Sequence, residues 1–104
     1  MAPRHVDDGL TSLAELDRVI HALANPTRRY LLELLRHDGA EAMDLNASTR
    51  CAWSISQARA SQHLSVLRGA GLVTVTPFGA TRHYRFQPGS ADVVAMWIST
   101  LGKP

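Results

Sequence analysis

The stretch from Ser54 to Phe86, S-I-S-Q-A-R-A-S-Q-H-L-S-V-L-R-G-A-G-L-V-T-V-T-P-F-G-A-T-R-H-Y-R-F, leaves few folds open. Ser56 can cap a helix that starts at Gln57. Ala60, Leu64 and Leu67 recur at i, i+4 and i+7, which makes one buried stripe. Gln57, Arg59, Ser61, Gln62, Ser65 and Arg68 are polar and lie largely off it. Gly69 and Gly71 supply a stop, because glycine accepts the left-handed backbone of a helix C-terminus. Leu72–Thr76 then alternates with period two, as does Arg82–Phe86, and Pro77, Gly79 and Thr81 lie between them. The pair reads as a hairpin with a loop of about five residues. A short helix with a hydrogen-bonding outer face suits the major groove of a duplex, and a basic hairpin suits the backbone or the minor groove.

Charge is distributed accordingly. The chain carries only +2 overall. From Leu45 to Ala91 there is no acid, against five arginines (Arg50, Arg59, Arg68, Arg82, Arg85), whereas residues 1–44 carry five arginines and eight acids. An acid-free segment does not repel phosphate; alternatively it is a solvated basic face.

A chain of 104 residues makes one domain with a modest core, here aliphatic, since only two each of Trp, Tyr and Phe occur. One cysteine, Cys51, excludes an intrachain disulfide framework and fits a reducing compartment. Met1–Gly9 has no apolar run of the signal-peptide kind, and no run reaches membrane-span length, so the expectation is a cytoplasmic protein with no membrane partner.

In chain order, residues 1–10 read as a flexible arm. A helix is expected over about 11–23, capped by Thr11 or by Ser12 with Glu15, with Leu13, Leu16, Ile20 and Leu23 inward and Val19 widening the stripe. Asn25-Pro26 starts a second helix to about Arg36, with Tyr30, Leu31, Leu34 and Leu35 inward, and Asp38-Gly39 stops it. A short third helix is expected near 44–51, capped by Asp44, with Leu45 and Ala52 in the core and Trp53 and Ile55 under the fourth helix. After the hairpin, Ser90 can cap a last helix to Leu101, with Asp92 at its positive end and Val93, Val94, Trp97, Ile98 and Leu101 apolar over a wide arc. Residues 102–104 are a tail. The expected fold is mainly α with a small β-hairpin, in the order α-α-α-α-β-β-α. The outer helices are more apolar than a short chain needs: either they pack on one monomer, or they pair across a two-fold axis.

A-L-A-N-P-T-R-R-Y-L-L-E-L-L (22–35), I-S-Q-A-R-A-S-Q-H-L-S-V-L-R-G-A-G-L-V (55–73) and R-H-Y-R-F (82–86) resemble the second helix, the recognition helix and the wing of the ArsR/SmtB winged helix-turn-helix regulators. The resemblance covers about 11–101. It implies a homodimer through the first and last helices, binding to an imperfect inverted repeat in double-stranded promoter DNA, and an inducer that is most often a metal ion. By resemblance the DNA-facing positions fall on Gln57, Arg59, Ser61, Gln62, His63 and Ser65, with Arg82 and His83 in the wing; Arg68 adds a basic group to that face. Arg28 and Arg29 match a basic pair of the family motif, with Arg28 better placed to hold helix packing or a phosphate than a base.

The chain departs from the family at its metal sites. Where many members carry Cys-x-Cys near the third helix, this one has E-A-M-D-L (41–45), and the last helix has Asp92 but no His. Asp17 and His21 share a helical face at i, i+4, Glu33 and His37 repeat the spacing, His5, Asp7 and Asp8 sit in the arm, and His83 lies in the hairpin. An imidazole–carboxylate set drawn from His5, Asp17, His21 or His83 suits nickel, zinc or cobalt; each His is otherwise an ordinary surface residue. Cys51 offers a thiol sensor if Arg50 or a helix end activates it, and a small hydrophobe otherwise. The leading expectation is therefore a sequence-specific DNA-binding regulator modulated by a transition metal such as nickel or zinc. The alternatives are a metal-independent regulator, responsive through Cys51 or controlled by a partner protein, and a winged-helix protein-interaction module. No nucleophile–base arrangement, phosphate-cradling loop or paired catalytic carboxylates point to an enzyme.

Overall fold

The computed structural model describes residues 3–103, with side chains from residue 13 onward. The order is α1 (Pro3–Leu23), α2 (Pro26–Leu35), β1 (Ala40–Glu41), α3 (Ala42–Trp53), α4 (Gln57–Gly69), β2 (Val73–Phe78), β3 (Thr81–Phe86) and α5 (Asp92–Leu101).

Helix α1 starts at Pro3, earlier than the cap at Thr11 or Ser12 predicts. Proline suits the first helical position, and a lone Gly9 does not end a helix. His5, Asp7 and Asp8 lie outside the described side chains. The inward face is also turned from the expected one. Leu16, Val19 and Ala22 are buried, while Leu13 is 60% and Ile20 38% exposed. Alanine at 22 lets the helix approach the core closely, and that leaves Leu13 exposed and Ile20 on the flank beside Val94, Trp97 and Ile98 of α5.

The Asn25 side chain accepts from the Thr27 and Arg28 amides at 2.9 and 3.2 Å, and Pro26 follows it, as a helix start requires. Thr27, Leu31 and Leu35 point inward; Leu34, expected inward, is exposed. Tyr30 is half-buried and meets Trp53 edge-on at 6.3 Å, so Trp53 packs on α2 and not under α4. Helix α3 begins at Ala42 and has Glu41, not Asp44, at its cap position; Asp44 lies in the first turn, where the helix dipole favours an acid. Leu45 and Thr49 are buried, and the Thr49 hydroxyl donates to the Leu45 carbonyl at 2.6 Å. Ala52, expected in the core, is exposed.

The sheet has three strands in the order β1-β3-β2 and not two, with Ala40 opposite Tyr84 and Glu41 opposite His83. Gly39 (φ +77°) allows this, since a Cβ there would overlap the Tyr84 carbonyl oxygen. The hairpin pairs Val73 with Phe86 through Phe78 with Thr81, so the turn is Gly79-Ala80 alone and not a five-residue loop. Pro77 lies inside β2, which an edge strand tolerates because its missing N–H can face outward.

Helix α4 ends in a tight reversal at Gly71, whereas Gly69, also expected as a left-handed stop, is its last helical residue. The Gly71 amide (φ +80°) donates to Arg68 and the Leu72 amide to Leu67, at 3.0 and 3.1 Å. Leu72 thereby enters the core beside Leu67, and β2 follows at once. Helix α5 is preceded by Ala91, not Ser90, at its cap position, and neither caps it by a side chain; the Ser90 hydroxyl is buried without a partner. The core gathers Val19, Leu31, Leu35, Leu45, Leu64, Leu67, Leu72, Val73 and Tyr84, and α5 contributes no fully buried residue to it. Among the described residues, no helix is long and apolar enough to cross a membrane.

Candidate nucleic-acid interface

Helices α3 and α4 are joined by Ser54–Ser56. Ser54 takes a left-handed backbone (φ 53°) and its amide returns to the Arg50 carbonyl at 2.9 Å. The Ser56 hydroxyl then accepts from the Arg59 amide at 3.1 Å and starts α4. Ala60, Leu64 and Leu67 are buried as the periodicity requires. Gln57, Arg59, Ser61, Gln62, Ser65 and Arg68 are all exposed. Ala58 joins them, a residue that sequence reasoning passed over because it is apolar. Its spacing to Gln62 and Ser65 (i, i+4, i+7) was the available signal: the three sit opposite the buried stripe. An exposed methyl there can meet a thymine methyl, while the amides and hydroxyls can meet base edges.

His63 departs from the expected set. It is half-buried on the flank of α4, and its Nδ1 lies 3.3 Å from an Arg28 terminal nitrogen. A guanidinium only donates, so Nδ1 accepts and the neutral ring carries its proton on Nε2. Arg28 also donates from Nε to the Ala22 carbonyl at 2.7 Å and from its other terminal nitrogen to His21 at 2.8 Å. Arg29 donates to the Leu23 carbonyl at 2.7 Å. These bonds satisfy the last carbonyls of α1 and place cations where its dipole favours them. The basic pair therefore ties α1 to α2, and through His63 to α4.

Burial pushes the His63 pKa below its ordinary value, and the charges of Arg28 and Arg59 push it further down. The unfolded chain therefore takes up this proton first. The contribution is at its most favourable above the ordinary His value of 6.5 and is lost as pH falls from there through the lower folded pKa. Thermal melts at pH 7.5 and 5.5 should show a loss on acidification that shrinks in His63→Gln, whose amide oxygen can still accept from Arg28. The difference should be small, because the ring is partly solvated.

In the wing, strand alternation separates the expected contacts. Arg82 shares a face with Pro77 and Tyr84, and His83 shares the other with Thr76 and Arg85. Arg82 is exposed near the turn. His83 instead leans on the neck of the sheet, its Nε2 3.3 Å from the Asp38 carbonyl oxygen.

The metal candidates are not brought together. Asp17 and His21 are exposed one turn apart on α1, and His83 is against Asp38. Helix α2 ends at Leu35, so Glu33 and His37 do not share a helical face. No three His, Cys, Asp or Glu converge among the described residues. A transition-metal site usually needs three or four protein ligands, so the described donors of one protomer do not fit one. Cys51 is exposed in the last turn of α3.

A helix-turn-helix domain family matches residues 23–76, from the end of α1 into β2. The HTH-type transcriptional regulator Rv2034 of Mycobacterium tuberculosis is 40% identical over 94 residues, covering 82% of this chain and 80% of that protein. An ArsR-like transcriptional regulator from Rhodococcus sp. RHA1 superposes with a TM-score of 0.72 at 28% identity, over 88% of this chain and 83% of that one. This chain belongs to the ArsR family of winged helix-turn-helix transcriptional regulators. As an ArsR-family member it is a DNA-binding regulator and not an enzyme. The fold is also that of the homodimeric winged helix-turn-helix DNA-binding domain of Mb0332 from Mycobacterium bovis, which superposes with a TM-score of 0.70 at 24% identity, over 90% of this chain and 85% of that one.

Proposed function

We propose that this ArsR-family chain binds an imperfect inverted repeat in double-stranded promoter DNA as a homodimer, with α4 in the major groove and the hairpin tip against the adjacent backbone and minor groove. The observation that carries this is the outer face of α4, where every polar residue off the buried stripe except His63 is exposed and free of acids. The dimer is supported by α5. Its Met96, Trp97, Ile98 and Leu101 are 45–68% exposed, and with Ile20 and Leu23 of α1 Trp97 and Ile98 line an apolar groove of about 300 Å³. Two such faces paired across a two-fold axis would set two reading helices about one DNA turn apart.

The signal that controls binding is a separate question. A nickel or zinc response needs ligands beyond the described donors of one protomer, drawn from the partner or from His5 in the N-terminal segment, with Asp17 and His21 as two of the ligands. The test is fluorescence anisotropy of the protein on its own upstream DNA at fixed salt, metal-free and then with nickel, zinc or cobalt. Tight, sequence-dependent binding is the expected result for the regulator. A metal shift of at least about tenfold, or about 1.4 kcal/mol of coupling, that His21→Ala removes would establish the metal site. Binding that ignores every metal leaves Cys51 or a partner protein as the control. Binding no tighter than to random duplex would instead mark a protein-interaction module.

A further inference from the structure

Phe78 closes β2 immediately before the Gly79-Ala80 turn and is 73% exposed. We propose that Phe78 is an apolar wedge that enters the minor groove beside the α4 site and partly unstacks one base step. This rests on the DNA-binding reading above and adds a contact of a different kind to it.

The wing is built for such an insertion. Its buried and half-buried aliphatic and aromatic contacts with the core stop at the Val75–Tyr84 pair. Three further pairs, Thr76 with His83, Pro77 with Arg82 and Phe78 with Thr81, carry the ribbon onward by roughly 10 Å at a strand's rise of about 3.3 Å per residue. An aromatic ring at the end of that projection covers no core of its own chain. The tip is also slim. Gly79 and Ala80 present almost no side chain, which suits a groove only about 6 Å wide.

The tip is stiff as well. The Thr81 hydroxyl donates to the Phe78 carbonyl at 2.8 Å, and Pro77 fixes the backbone just before the ring. Phe78 and Arg82 lie on opposite faces of the ribbon. The guanidinium can therefore reach a phosphate on one wall of the groove while the ring turns toward the bases. No acid occurs between Leu45 and Ala91; the acid on the ring's side of the sheet is Glu41, which pairs with His83 nearer the neck of the wing and shares that face with the cation Arg85. Apolar side chains that enter a minor groove unstack and kink the duplex, and pyrimidine–purine steps yield most readily. The wedge would thus add a preference for such a step at a position that α4 does not touch.

The test uses the full chain and its upstream DNA, with 2-aminopurine placed singly at steps flanking the protected sequence and a dye pair on the duplex ends. Wild type should brighten the 2-aminopurine at one flanking step per half-site and shorten the end-to-end distance. Phe78→Ala should abolish both signals and weaken binding about tenfold, with the salt slope unchanged because no phosphate contact is lost. Phe78→Leu should keep part of each signal. Operator-specific binding with no brightened step, or Phe78→Ala equal to wild type, overturns the wedge and leaves the regulator intact. A change in oligomeric mass in Phe78→Ala without an optical change assigns the ring to a protein contact and also overturns it. Failure of wild type to prefer its upstream DNA over random duplex removes both readings together.

Discussion

Charging the exposed face of α5 by Ile98→Glu with Leu101→Glu should yield a folded monomer that has lost its operator. Both side chains are more than half exposed in a single chain, at 55% and 66%, so the fold gives up little when they change. In a dimer each would be buried against apolar groups of the partner, where an unpaired carboxylate is strongly disfavoured. Sedimentation equilibrium should move from the mass of two chains to the mass of one. Operator affinity should fall by on the order of 10², because the second half-site no longer profits from the effective concentration that a linked pair provides. Far-ultraviolet circular dichroism should stay unchanged. A double mutant that remains dimeric would place the interface elsewhere.

Replacing Gln57 and Arg59 together with alanine should remove sequence-specific binding while sparing weak binding to any duplex. Each good bidentate base contact is worth about 1–3 kcal/mol of discrimination, so losing two lowers operator affinity on the order of 10² or more. Both side chains are exposed, and the cap of α4 is made by the Arg59 amide and not its side chain, so the helix should persist. Anisotropy on operator and on random duplex separates the two effects. The operator affinity should collapse toward the random value, and the random value should fall only by the loss of one cation. Unchanged operator affinity would remove α4 from the major groove. The two double mutants act on different links, one on pairing the readers and the other on reading itself.

The parts of this fold that sequence reveals are those written in local patterns. The Asn25 and Ser56 caps, the stripe Ala60, Leu64 and Leu67, and the stop at Gly71 each need only a few neighbouring residues to be recognised, and all are present. The features that eluded it depend on distant partners. β1 is two residues long, too short to show alternation, and it exists because Gly39 lets the chain lie against Tyr84. The family resemblance alone puts His63 on the reading face, and its partner Arg28 lies 35 positions away. Leu13 and Ile20 are apolar and spaced as core residues, yet a small Ala22 turns the helix away from them. Pro77 has the chemistry of a turn residue, although an edge strand can hold it and here does. In the candidate interface, the outer face of α4 was legible almost whole. The division of Arg82 and His83 between two faces of the wing required the register.

The short join between α4 and β2 has a bearing on how any signal could switch this protein. Only Ala70, Gly71 and Leu72 separate helix from strand, with all three amides turned back into the helix and Leu72 anchored in the core. Reader and wing therefore move as one rigid jaw, and neither can be re-aimed without unpicking that turn. In the dimer proposed above, the adjustable quantity is the gap between the two jaws, set by α1 and α5. In the proposed dimer an inducer would act as on a caliper, changing the span of the instrument and not the shape of its tips. Operators with altered spacing between half-sites, rather than altered bases, should be the ones whose response to the signal is lost.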